Sequence, residues 1–124
     1  MKGTPEEVLK AIPDFDEFKR LSEEITKLMY DKLILDTSIK DLESRVFETA
    51  SNNEKYFQGG KSPSTAYIER TWGYRGLNGE IMPLRIKLAE LVSQLDGKRS
   101  QMDIYKTMVE IWRTLCSNNR TAGF

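Results

Sequence analysis

The chain has 124 residues, and its nineteen basic residues balance nineteen acidic ones, so net charge indicates neither a nucleic-acid binder nor an acidic tail. It contains no histidine and a single cysteine, Cys116, which excludes disulfide scaffolds, Cys/His zinc sites and catalysis by imidazole. No apolar run approaches the ~18 residues of a membrane span, and no signal-peptide stretch opens the sequence. We therefore expect a cytoplasmic protein with no metal site, no cofactor and no membrane association.

The first predicted element is a short helix within residues 1–13. Thr4 is suited to cap it, Pro5 fits the first helical position, and Pro13 ends it.

A long helix is predicted next, over residues 14–56. Asp14 and Glu17 form a capping box at its start. Mostly apolar residues then recur at alternating spacings of three and four, which is the heptad pattern of a coiled coil. They are Phe18, Leu21, Ile25, Leu28, Lys32, Leu35, Ile39, Leu42, Val46 and Thr49.

A second long helix is predicted over residues 80–117, followed by a disordered tail at 118–124. Its heptad positions are Leu84, Leu88, Leu91, Leu95, Lys98, Met102, Tyr105, Val109, Trp112 and Cys116. Asp96-Gly97 resembles a turn. Because the heptad phase crosses this pair without a skipped residue, we expect one continuous helix with a weak point of ~1 kcal/mol at Gly97.

Together these elements predict a single all-α domain, an antiparallel helical hairpin with coiled-coil heptads, closed by a connection at 57–79. Antiparallel pairing would set Lys32 opposite residue 101 and Lys98 opposite residue 35, in one polar layer that fixes the register. The alternative is that both lysines reach solvent and play no part in the register. Acidic residues near them in sequence are Asp36, Asp96 and Asp103.

Both long helices carry more apolar residues than one seam requires. A second row on each helix predicts self-association into a dimer or a larger ring, because exposed apolar patches of this extent mark interfaces. The predicted interface residues are Leu33, Ile104, Met108, Ile111 and Leu115. In the alternative, the connection folds back over both rows and the protein is a monomer.

The connection contains Gly59-Gly60-Lys61-Ser62, which ends like a phosphate-binding loop. The motif's first glycine is replaced by Lys55, and no buried strand precedes it, so we interpret it as a helix end followed by a loop. Further on, Ser62-Pro63-Ser64 favours a short helix that runs to Arg70. An extended segment at 65–71 is the alternative.

Charge is segregated along the chain. Residues 1–50 hold eight basic and twelve acidic residues, whereas residues 51–124 hold eleven basic and seven acidic ones. The basic excess lies mainly between Lys55 and Lys87, in a stretch that also holds five aromatic residues. Cations interleaved with aromatic rings suit single-stranded nucleic acid, whose bases stack and whose phosphates pair with cations. The competing interpretation is that Tyr67, Ile68, Trp72 and Leu77 simply pack the connection onto the hairpin.

The layout resembles that of the UvsY-type recombination mediators of tailed phages. Tyr56-Phe57-Gln58-Gly59-Gly60-Lys61 is similar to the aromatic-Gly-basic element of that family, and it lies between two long helices as it does there. Glu80 would open the second helix, and Lys106 with Glu110-Ile111-Trp112-Arg113 would close it. The resemblance implies an oligomeric phage protein that binds single-stranded DNA in the host cytoplasm and helps to load a recombinase.

No carboxylate pair stands out as an acid–base couple, so we expect a non-enzymatic protein without catalytic residues. The predicted nucleic-acid-binding residues are Lys55, Tyr56, Phe57, Lys61, Arg70 and Arg75. Two other functions remain open. One is a coiled-coil adaptor or structural subunit that binds another protein through its extra apolar rows. The other is a binder of small ligands, with pockets between subunits near Trp72 and Arg75.

Overall fold

The structure is a computed structural model that describes residues 4–6 and 12–121, the last three of them by their main chain only. The helical elements over this part of the chain are α1 (Phe15–Asn52), a 3₁₀ turn (Glu54–Tyr56), α2 (Thr65–Ile68), a π-helical segment (Glu69–Gly73) and α3 (Met82–Thr121). The predicted all-α class is confirmed. The helix predicted within residues 1–13 falls largely outside the described residues.

Contacts divide the chain into two compact units. The terminal unit comprises Met1–Leu28 and Gln94–Phe124, and the central unit is Met29–Ser93. The two long helices run antiparallel in the terminal unit, because successive α1 residues meet α3 residues of falling number. The pairs are Phe15 with Trp112, Phe18 with Tyr105 and Glu24 with Lys98. The predicted helical hairpin is thus confirmed, while the assignment of one domain stays a prediction.

Helix α1 begins where the capping signal predicts and ends four residues early. The Asp14 carboxylate accepts hydrogen bonds from the backbone N–H groups of Asp16 (3.0 Å) and Glu17 (3.1 Å), which satisfies two donors that have no partner within the helix. At the other end, the Asn53 side chain accepts from the Lys55 N–H (3.0 Å) and starts the 3₁₀ turn. An asparagine side chain that bonds to the backbone N–H two residues on competes with the helical ladder and so ends α1.

Helix α3 is continuous through Gly97, as the uninterrupted heptad phase predicts. It begins at Met82 rather than at residue 80. It also runs on to Thr121, so the predicted disordered tail is wrong for residues 118–121. Over the described residues, neither long helix contains an apolar stretch sufficient to cross a membrane.

The predicted register of the two seam lysines is wrong for Lys98. Its ammonium lies 2.8 Å from a carboxylate oxygen of Glu24, and not opposite residue 35 or beside the acidic residues near it in sequence. The hydrogen bond from Lys98 lowers the pKa of Glu24. Lys32 is half-buried in the central unit and forms no ion pair with any residue that the structure describes.

The start of α3 explains the register error. In the central unit Arg85 pairs with Glu43 (2.6 Å), so the last two turns of α1 extend past the first turn of α3. The connection covers them. The central core contains Leu35, Ile39, Val46, Ala50, Ile68 and Ile81, with Leu42, Tyr56, Trp72, Leu77, Leu84, Leu88 and Leu91 packed against it.

Four of the five predicted interface residues are exposed. The exposed fractions are 63% for Leu33, 63% for Ile104, 50% for Met108 and 50% for Ile111. The connection therefore covers none of these four residues. Leu115 is wrong as an interface residue, since it is only 4% exposed and belongs to the core of the terminal unit. Pro13, which precedes α1, is also buried in that unit, so chain outside the two long helices contributes to the core there.

Two glycines should respond in opposite ways to substitution by alanine. Gly76 has φ +95°, and an added Cβ would lie 2.5 Å from the Glu80 carboxyl carbon. Gly97 lies inside α3 with open space around it. We expect Gly76→Ala to lower the free energy of unfolding by more than about 1 kcal/mol. Gly97→Ala should raise it by roughly 0.5–1 kcal/mol.

Urea denaturation of both variants and the wild type, followed by circular dichroism, measures these changes. Equal effects of the two substitutions would contradict the strained conformation assigned to Gly76.

Candidate functional site

The connection leaves the 3₁₀ turn through a tight reversal. Gln58 and Lys61 exchange two backbone hydrogen bonds of 2.9 and 3.1 Å across Gly59 and Gly60. Both glycines have positive φ, the conformation that this kind of two-residue turn requires. The Ser62 hydroxyl then donates to the Ser51 carbonyl (2.9 Å), which ties the reversal to the end of α1. The glycines therefore form a tight turn, which agrees with the prediction that this segment is not a phosphate-binding loop.

A short helix follows at the predicted place. The Ser64 hydroxyl accepts from the Tyr67 N–H (3.2 Å) and caps α2, so the extended alternative for residues 65–71 is wrong. The helix widens at Glu69 into a π-helical segment that ends at Gly73. Ile68, at the junction, is 1% exposed and anchors the connection in the central core.

Five side chains of the 3₁₀ turn and the connection form a continuous line, which we call the cation–aromatic row: Lys55, Tyr56, Trp72, Tyr67 and Arg70. The Tyr56 and Trp72 rings meet edge to face at 5.3 Å, and the Tyr67 and Trp72 rings do so at 5.5 Å. The Lys55 ammonium lies 5.5 Å from the centre of the Tyr56 ring, and the Arg70 guanidinium lies 5.7 Å from that of Tyr67. Both distances are within the range of cation–π attraction.

The row is part packing and part surface. Tyr56 and Trp72 pack against the central core, as does Leu77, so the prediction that the connection packs onto the hairpin is confirmed for Ile68, Trp72 and Leu77. All three rings of the row nonetheless keep part of their surface in solvent, and both cations are exposed. Packing and ligand contact therefore do not exclude each other here.

The structure gathers only part of the predicted nucleic-acid-binding set into the row. Lys55, Tyr56 and Arg70 belong to it. Phe57 is half-buried after the 3₁₀ turn, Lys61 closes the Gly59-Gly60 turn, and Arg75 follows the π-helical segment. None of these three takes part in the row's ring contacts.

Sequence reasoning left Trp72 and Tyr67 out of the set, although they join its two ends. The spacing of three residues between Tyr67 and Arg70 was an available signal, since residues three apart are neighbours on a helix. The spacing of five between Tyr67 and Trp72 gives no such signal, because only the π-helical turn brings these residues together.

The basic residues from Lys55 to Arg85 fall into two groups. Lys55, Lys61, Arg70 and Arg75 are exposed, and none of them forms an ion pair within the described part of the chain. Their charges are therefore available to an anionic ligand.

Arg85, by contrast, has a structural role. Its guanidinium contacts the Glu43 carboxylate at 2.6 Å and donates to the carbonyls of Tyr74 (2.7 Å) and Gly73 (3.3 Å). It also lies 4.4 Å from the centre of the Tyr74 ring. With its donors used in this way, Arg85 fastens the end of the π-helical segment to both long helices of the central unit.

A groove of about 520 Å³ opens beside Arg85 in the central unit. Lys40 and Arg85 line it, but so do the carboxylates of Glu43 and Glu69. Because the two acidic groups cancel the two basic ones, this groove does not favour a phosphate over water. The exposed cations of the row are the better candidates for contact with an anion.

Glu80 closes the connection rather than capping α3. Its carboxylate accepts from the backbone N–H groups of Asn78 (2.7 Å) and Leu77 (3.2 Å). Backbone hydrogen bonds, including one from its own N–H group, lower the pKa of Glu80 below its ordinary 4.5. The ionised form is thus the one that the folded loop prefers.

Stability should therefore depend on pH through Glu80. Since its pKa is lower in the folded than in the unfolded state, its contribution is complete above about pH 4.5 and is lost as the pH falls through the folded-state value. We expect Glu80→Gln to lower the urea midpoint at neutral pH and to reduce its loss on acidification. Urea titrations of both proteins between about pH 6 and pH 3 measure this. Parallel pH curves would contradict the assignment.

No protein-family model, curated protein or solved structure matches this chain. The resemblance to the UvsY-type mediators therefore stays a prediction, based on residues 56–61 and on the order of the two long helices.

Proposed function

We propose that this protein is a non-enzymatic accessory protein that binds single-stranded nucleic acid along the cation–aromatic row. The observation that carries the proposal is the row itself, in which three partly exposed rings are joined edge to face. Over each end lies a cation that forms no ion pair within residues 4–6 and 12–121. Bases stack on aromatic rings while phosphates pair with nearby cations, and neither contact depends strongly on sequence.

The geometry suggests how such a ligand would bind. Lys55 and Arg70 lie over the Tyr56 and Tyr67 rings, where an incoming base would stack. A base that takes the place of the cation over the ring leaves that cation free to pair with the adjacent phosphate. Each contact would then exchange a cation–π attraction for one stacking contact and one ionic contact.

The UvsY-type resemblance extends this proposal to a biological role. Members of that family bind single-stranded DNA and assist the loading of a phage recombinase. On this proposal, the present protein has the same role in a phage-infected cell.

Removing both end cations should weaken binding to a fluorescent single-stranded oligonucleotide of about 20 nucleotides. We expect Lys55→Ala with Arg70→Ala to reduce affinity at least tenfold at about 50 mM salt, because two phosphate contacts are lost. The slope of log affinity against log salt should fall by about 1.4, which is ~0.7 for each contact. Fluorescence anisotropy at several salt concentrations measures both quantities.

The matched control is Lys19→Ala with Lys27→Ala, which removes two exposed charges from α1 outside the connection. It should change affinity little. Trp72 fluorescence, read in a Trp112→Phe background, should be quenched when bases stack on the row. Absence of binding by the wild type at low salt, or an equal loss in the control, would refute the proposal.

A second function, that of a protein-binding adaptor, is favoured by one observation. Met29, Tyr30, Leu33 and Ile34 are each between 47% and 63% exposed. They lie on the face of α1 turned away from the core residues Leu35 and Ile39, since successive helical residues are ~100° apart. A compact apolar patch on the outer face of a helix suits a groove-binding or helix-binding partner protein.

A photo-crosslinking residue at position 33 tests the adaptor function in the cells that express this protein. We expect one discrete cross-linked partner. The same residue at Ser44, three turns further along the same exposed face, is the matched control and should capture none. Equal labelling from both positions would count against a specific apolar interface.

A further inference from the structure

The outer face of α3 in the terminal unit carries a second heptad seam, which we call the outer seam: Gly97, Gln101, Ile104, Met108 and Ile111. Its residues are spaced four, three, four and three apart, which is the a/d pattern of a coiled coil. It is separate from the seam that faces α1, whose members in this unit include Leu95, Met102 and Tyr105, all buried.

The outer seam is apolar and open to solvent. Ile104, Met108 and Ile111 are the exposed residues already described, and Gly97 and Gln101 are exposed as well. Gly97 leaves open space where a Cβ would lie, so no residue that the structure describes requires a glycine at this position. A glycine in the interior of a helix lowers the stability of that helix relative to alanine. Close approach of another helix would explain why a glycine is present here in spite of this.

The positions along one side of the seam are also uncharged. They are Ser100, Thr107 and Thr114, which precede Gln101, Met108 and the buried Leu115. The Thr107 hydroxyl donates to the Asp103 carbonyl (3.1 Å), and the Thr114 hydroxyl donates to that of Glu110 (3.0 Å). Because both hydroxyls are satisfied by their own helix, these threonines can be covered without leaving a polar group unpaired.

We infer that the outer seam is the contact between two copies of this chain. A heptad seam fits an α-helix as its partner, because each a/d side chain inserts between four residues of a facing helix. In a two-fold dimer the same surface meets itself, so a charge on the seam would confront a charge of the same sign. The a and d positions of the seam contain no charge, and Lys98, the one charged residue among the positions that flank them, pairs with Glu24 of its own chain, so this surface is complementary to itself.

The length of the seam sets the strength of the dimer. Three large side chains from each copy bury less than the ~1,200 Å² at which weak and transient interfaces give way to standard ones. The dimer should therefore form in the micromolar range and exchange with the monomer. The row around Leu33 lies in the other unit and takes no part in this contact.

Sedimentation equilibrium of the full chain from about 5 to 500 µM tests the inference, since weak dimers dissociate across this range. The wild type should shift from monomer to dimer. Met108→Glu with Ile111→Glu places like charges across the two-fold axis and should weaken association at least tenfold. Met108→Gln with Ile111→Gln removes the apolar contact without adding charge, and it should also weaken association.

The matched control is Leu33→Glu with Ile34→Glu, which adds the same charges to the other exposed apolar row and should leave the dimer intact. Circular dichroism shows whether each variant keeps its helices. A wild type that is monomeric throughout would overturn the inference and leave the seam to a different partner. The inference would also be overturned if the changes at Leu33 and Ile34 dissociated the dimer while those at Met108 and Ile111 left it intact. A trimer or a larger assembly would overturn it as well.

Discussion

The burial of Ile68 and Ile81 beside the last turns of α1 is the constraint on which the central unit depends. Both side chains are almost fully enclosed, in one cluster with Val46 and Ala50. Ile81 fixes where α3 can begin, and Ile68 fixes where the connection returns to the hairpin. The ion pair of Arg85 with Glu43 and the position of Trp72 both follow from these two anchors.

The same two buried residues explain why one basic residue has a structural role while others stay free to contact a ligand. Arg85, at the first turns of α3, is drawn beneath the π-helical segment and uses its donors on Glu43 and on backbone carbonyls. The cations further out on the connection have no such partners. Composition alone groups all of them as one basic stretch, yet packing separates a structural arginine from cations that can meet a ligand.

The long helices were predictable from their periodicity, because apolar residues spaced alternately three and four apart share one face only in a helix. The periodicity also predicted that α3 crosses Gly97 without a break. The register was not predictable, since it depends on how many turns of α1 the connection covers. Lys98 consequently meets Glu24 instead of residue 35. The prediction of Leu115 as an interface residue was wrong for a related reason. Heptad counting shows which residues share a face of a helix, but it does not show which other segments of the same polypeptide cover that face.

The candidate site was predictable in its ingredients and not in its arrangement. Lys55, Tyr56 and Arg70 were recognised from charge and aromatic content, whereas the links through Trp72 and Tyr67 depend on a non-standard helical turn. Five residues along an α-helix correspond to a rotation of roughly 140°. In a π-helix, bonded from residue i to i+5, the turn is wider, so the same five residues end closer to the side of the helix on which they started.

The wide turn at Glu69–Gly73 therefore aligns Tyr67 with Trp72 although the two are five positions apart. Loss of one residue from this turn would return it to ordinary helical pitch with Tyr67 and Trp72 four residues apart, a spacing that also makes them neighbours on a helix. Restoring that pitch without shortening the chain would instead rotate the indole roughly 140° away from the phenol. Related chains would therefore keep this line of rings either with a spacing of four on a regular helix or with a spacing of five on a wide turn, and would lose it where a spacing of five occurs at ordinary pitch.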